Sequence, residues 1–95
     1  MSELIERNDS SHTLIIDRVE SIMRLVQREN YLDIVVAFNK VEYDSNNVSK
    51  YLFYFDIEDA KGIQHEEKVV LNERLIESDL NEIYNILYHT FKKYN

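Results

Sequence analysis

Asp56, Glu58 and Asp59, with Glu66 and Glu67 a few residues on, are the side chains of this 95-residue sequence whose type and spacing could do chemistry. Carboxylates held that close can share a hard cation, or divide the roles of acid and base in a hydrolysis. Composition favours a plainer expectation: a solvated strand edge, where charge discourages unwanted sheet pairing. His12, His65 and His89 fall in an N-terminal arm, a strand and a helix, with none of the spacings that put two metal ligands on one face. His65 reads as a packed or edge histidine. The serines beside His12 lack a third, orienting carboxylate and an oxyanion site, so they do not make a nucleophile and base. A single glycine, Gly62, excludes the glycine-rich loops that cradle phosphates. The expectation is a protein that is not an enzyme and has no cofactor and no metal.

The elements that must position these residues follow from periodicity. Residues 1–11 read as a mobile arm with a helical turn at Glu3 to Arg7, and residues 12–95 as a single domain. Ser10, Ser11 and Thr13 are candidate caps for a first helix over Leu14 to Glu29. Ile15, Val19, Ile22, Met23 and Val26 share its apolar face, with Asp17, Glu20, Arg24 and Arg28 turned outward. From Tyr31 the period changes to two: Leu32, Ile34, Val36 and Phe38 lie on one side, Asp33, Val35, Ala37 and Asn39 on the other. Near Lys40 the alternation loses phase, because Val41 and Tyr43 take the formerly outer side, and a bulge restores it. Asp44, Ser45, Asn46 and Asn47 spell a loop.

A second strand, Val48 to Glu58, puts Tyr51, Phe53, Phe55 and Ile57 inside and Lys50, Leu52, Tyr54, Asp56 and Glu58 outside. Gly62 marks a hairpin turn that needs a positive φ. A third strand over Ile63 to Leu71 has Ile63, His65, Val69 and Leu71 on the inner side, and Gln64, Glu66, Lys68 and Val70 on the other. Asn72 to Glu77 add a helical turn. A last helix starts near Ser78 or Asp79, capped by Asp79 with Glu82 at capping-box spacing, and buries Leu80, Ile83, Tyr84, Leu87 and Phe91. The predicted fold is α+β: a two-layer sandwich in which a three-stranded antiparallel meander packs on two helices, order αβββα. Its uncovered sheet face displays carboxylates, and Tyr43 and Tyr54 are the tyrosines expected at the surface.

Charge then narrows the partners. Against 11 basic residues stand 18 acidic ones, and residues 31–71, the strand region, carry eight acids to four bases. That surface repels nucleic acid and anionic membrane and attracts basic protein surfaces. No apolar run approaches the roughly 20 residues that span a bilayer. Residues 1–11 lack the basic start and apolar run of a signal peptide, and there is no cysteine, so a cytoplasmic home is expected.

The element order resembles the double-stranded-RNA-binding domain. Glu73, Glu77, Asp79 and Glu82, with Arg74 the sole base, stand where that family leads phosphate contact with lysines, so direct nucleic-acid binding is not expected. In length, acidity and layout the whole chain is similar to small phage-encoded inhibitors, including some anti-CRISPR proteins. That likeness implies a host-cell location and acids that occupy basic grooves, and it carries over no residue's role. The function expected is a non-enzymatic acidic module that inhibits or regulates a nucleic-acid-handling protein by occupying its basic surface. Asp33, Tyr54, Asp56, Glu58 and Glu66 on the open face, with Asp44 and Asp59 in flanking loops, are the expected contacts. The alternatives are a homodimer paired through the open face, an acidic immunity or chaperone-like protein for a basic client, and an enzyme that uses the carboxylates or His65.

Overall fold

The computed structural model describes the backbone of residues 2–4, 10 and 11, and the whole of residues 12–44 and 48–95. Its elements run β1 (Ser2–Leu4), α1 (Ser10–Asn30), β2 (Val35–Asp44), β3 (Lys50–Glu58), β4 (Gln64–Asn72), α2 (Glu73–Ser78) and α3 (Leu80–Lys92). The three long strands form the expected antiparallel meander with helices on one face, an α+β fold. β1 extends the sheet by a short strand opposite Glu42 to Asp44, so Glu3 and Leu4 are extended where a helical turn was expected. The rest of that turn, and Ser45 to Asn47 of the expected loop, lie outside the described residues.

α1 begins four residues earlier than its apolar pattern, so Thr13 sits within its first turn rather than at its cap; the hydroxyls of Ser10 and Ser11 lie outside the described side chains. Ile15, Ile16, Val19, Ile22, Met23 and Val26 are buried. So is Glu20, expected to face outward and in fact only 5% exposed. It stands at the border of the stripe beside Val36 and Phe38, and Arg24 one turn later donates to its Oε1 at 2.6 Å. An ion pair at i, i+4 is what lets a carboxylate sit there.

The helix ends in a reversal that also delays the first long strand. Asn30 donates to the carbonyl of Val26 and to the Tyr84 hydroxyl, Tyr31 takes φ +50°, and the amide of Leu32 reaches back to the carbonyl of Gln27 at 3.4 Å. That six-to-one bond belongs to a left-handed helix end. Gln27 then donates to the carbonyl of Ile34, and β2 starts only at Val35 rather than at Tyr31.

The predicted loss of phase is a bulge. Register runs Val36 to Ile57 and Phe38 to Phe55, skips Asn39, and resumes with Lys40 opposite Tyr54 and Val41 opposite Phe53. One extra residue thereby keeps Val36, Phe38, Val41 and Tyr43 on the covered side. β3 supplies the centre of the core, with Tyr51, Phe53, Phe55 and Ile57 all buried. Phe91 of α3 stands edge-on to Phe55, centroids 5.5 Å apart at 87°, and Ile83 and Leu87 complete the stripe. Leu80, expected in that stripe, is exposed because it is the first residue after the cap, Asp79, whose Oδ1 accepts from the amide of Glu82. Ile63, expected inside, is exposed because it belongs to the turn before β4. Gly62 has φ +84°, and a Cβ there would meet nothing, so backbone conformation alone calls for glycine.

Candidate protein-binding face

The helices cover one side of the sheet, and the register sets out the other as five cross-strand rows. They read Val35, Glu58, Gln64; then Ala37, Asp56, Glu66; then Lys40, Tyr54, Lys68; then Glu42, Leu52, Val70; and last Asp44, Lys50, Asn72. The bulge decides the three final members from β2. Were alternation to run unbroken through Asn39, Val41 and Tyr43 would face out and Lys40, Glu42 and Asp44 would face in.

A mixed belt crosses the middle of the face. The Lys40 ammonium lies 4.6 Å from the centre of the Tyr54 ring, and the Tyr54 hydroxyl donates to Glu42 Oε1 at 2.5 Å. Glu42 as acceptor holds the Tyr54 phenol above its ordinary pKa, with burial adding to it. Tyr54 is therefore half-buried and braced, its ring presented between two lysines.

On one side of this belt stand Asp56, Glu58 and Glu66. Asp56 and Glu66 are direct cross-strand neighbours, an arrangement that costs stability when both are charged. Asn39 of the bulge donates to Asp56 Oδ1 at 3.3 Å, and among the described residues none of the three carboxylates forms an ion pair. Val35, 60% exposed, and Ala37 border them with small apolar side chains. Asp33 is not on the sheet: it is an exposed residue of the α1–β2 loop, its amide donating to Asn95. It shares with Leu32, Val35, Glu58 and Ala60 a groove of about 340 Å³ at the same end of the face. Four expected contacts, Tyr54, Asp56, Glu58 and Glu66, thus lie together, with Asp33 flanking them.

The other two are placed differently. Asp59 is turned into its own hairpin, where Oδ1 accepts from the amides of Lys61 and Ile63 at 2.9 Å each and Oδ2 lies 2.8 Å from His65 Nε2. The His65 bond, then the Ile63 amide, hold its carboxyl below the usual range. Asp44 sits at the far end of the face beside Lys50, at 4.0 Å. Tyr43, expected at the surface, is half-buried and packs at a tilt against His12 and Tyr51, ring centroids 5.0 and 4.9 Å away. Tyr51 in turn bonds His12 Nδ1 at 2.8 Å, and burial, then Glu73, Tyr43 and Glu77, push its phenol up to about 12.

Strand alternation also contained a residue that the reading of β4 passed over. Glu67 lies on the covered side with His65, Val69 and Leu71, and accepts from Lys93 Nζ at 2.8 Å and from the Tyr94 hydroxyl. Burial pushes its carboxyl up, but those two bonds outweigh burial and hold it below the usual range. Tyr94 packs at a tilt against His65, ring centroids 4.5 Å apart, in a recess of about 450 Å³ that Lys61 and Lys93 also line. The signal was the even count from His65 to Glu67, which puts both on one face.

Among the described residues no three His, Cys, Asp or Glu side chains are grouped to hold a metal ion, and no helix is long and apolar enough to cross a membrane. No protein-family model, curated protein or solved structure matches the chain.

Proposed function

We propose that this protein is a non-enzymatic acidic binding module, acting in the cytoplasm, which inhibits or regulates a nucleic-acid-handling protein by occupying its basic surface. The observation that carries this reading is the carboxylate cluster on the open face: Asp56 opposite Glu66, Glu58 one row on, none ion-paired among the described residues. A protein retains like charges side by side at a cost to its own fold. An arginine or lysine of a partner converts that cost into attraction. Tyr54, braced by Glu42 and Lys40, supplies a ring on which a guanidinium can stack, and Asp33 extends the negative surface past the sheet.

Affinity purification of the full chain from its native cells tests the reading, with bound proteins identified and then challenged with duplex DNA and RNA. The expected partner binds nucleic acid, is released by it, and is lost when Asp56→Lys and Glu58→Lys are combined. With that partner purified, the double variant slows association and flattens its salt dependence. A partner held equally well by the double variant, or one that nucleic acid does not displace, refutes the proposal.

A further inference from the structure

The outer edge of β4 is a second binding surface, and we propose that it pairs antiparallel with β4 of a second copy about a two-fold axis at Glu67. β4 is the last strand of the sheet, and among the described residues only β3 pairs with it, along its whole length. Bonds at the two ends of that ladder fix which backbone groups are used: Asp59 N–H to the Ile63 carbonyl at 2.9 Å, and Glu73 N–H to the Ser49 carbonyl at 3.0 Å. Odd-numbered residues of β4 therefore face β3. The amides and carbonyls of Gln64, Glu66, Lys68 and Val70 point away from the sheet, and all four side chains are exposed on the open face.

Charge selects the occupant and the register. With the axis at Glu67, Glu66 of each copy lies opposite Lys68 of the other, Gln64 lies opposite Val70, and every outward amide and carbonyl of these four residues finds a partner. Moving the axis one residue toward the C-terminus sets Lys68 against Lys68, and one residue toward the N-terminus sets Glu66 against Glu66. Only the Glu67 register joins opposite charges, twice over, so residues that blunt the edge against general pairing become complementary against this one sequence. The two Glu67 carboxylates that approach at the axis already carry Lys93 and Tyr94 on their own sides. Val70, half exposed in the single chain, is covered by Gln64 of the other copy. The open faces then join across the seam, Glu66 is engaged by Lys68 of the other copy, and Asp56 and Glu58 stay uncovered, so in the dimer the binding proposed above falls to those two residues.

Sedimentation of the full chain at several concentrations, with Glu66→Lys, Lys68→Glu and the two combined, tests the pairing. Both positions are exposed, so each variant should fold, and circular dichroism checks that it does. The natural chain is expected to be a dimer. Either single reversal puts like charges opposite each other at both pairs and weakens it by about tenfold or more, while the combined swap restores it. A chain that stays monomeric at high concentration, single reversals that leave the dimer unchanged, or a combined swap no better than the single ones each overturn the proposal.

Discussion

Removing Asn39 and removing Ala37 each shorten β2 by one residue, two positions apart, and the structure assigns them very different costs. Without Asn39 the bulge disappears and strict alternation carries Val36, Phe38, Val41 and Tyr43 inward unchanged, with Lys40 in the vacated outward place. The loss is one exposed side-chain bond, Asn39 to Asp56 at 3.3 Å, worth roughly 0.5–1 kcal/mol. Without Ala37, alternation resuming from Val36 turns Phe38 outward and Asn39 inward. Phe38 gives up half-buried surface worth about 1–2 kcal/mol and its edge contacts to Phe53 and Phe55, each about 0.5–1.5 kcal/mol. Asn39 adds about 1–3 kcal/mol for an amide without a partner in the core. The difference is at least about 2–3 kcal/mol, and urea unfolding followed by circular dichroism should separate the two midpoints by about 1 M or more. Midpoints that coincide within about 0.3 M would mean that the bulge is not what sets the phase of this strand.

Two further outcomes follow from residues outside the face. Tyr31→Gly should stabilise the fold by about 0.5–1 kcal/mol in the same assay, because a 90% exposed tyrosine at φ +50° meets a steric cost that glycine lacks; an unchanged or lower midpoint contradicts this. Glu67→Gln should lessen the loss of stability in acid: the Glu67 carboxyl is lowered in the fold, so its stabilisation is present above its unfolded pKa and disappears as pH falls through the folded one. Parallel stability curves for the two proteins between about pH 6 and 3 would show that the bonds from Lys93 and Tyr94 do not favour the charged form.

The order of elements was legible because apolar periodicity is a direct image of burial. The bulge was legible for the same reason: a change of phase between Phe38 and Val41 has few physical remedies. What escaped was set by partners distant in sequence. Glu20 carries no mark that distinguishes it from Asp17 until Arg24 and the flank of β2 close over it. Asp59 shares a run of acids with Asp56 and Glu58, and only the geometry of the hairpin shows it bonded to three groups of its own turn. Within the candidate site, alternation alone gathered Tyr54, Asp56, Glu58 and Glu66. It assigned Lys40 and Glu42 no place, although they brace the tyrosine, since their side of the strand depends on where the bulge falls.

Net charge and local charge also have to be kept apart. The chain carries −7, but among the described residues the open face of β2, β3 and β4 holds five acids against Lys40, Lys50 and Lys68 and so contributes only −2 of it. Attraction at long range therefore belongs to the molecule as a whole and is screened beyond about 8 Å at physiological salt. Recognition has to come from what lies within that distance of a partner. On this face the three acids beyond the lysine belt, without ion-pair partners among the described residues, differ from the two on its other side: Glu42 is engaged with Tyr54 and Asp44 stands beside Lys50. An acidic surface with its lysines spread evenly would attract basic proteins and hold none in a defined orientation. One that sets lysines across its middle and the Asp56, Glu58 and Glu66 carboxylates to one side can hold a basic surface in one orientation, that in which the partner's cations meet those three acids.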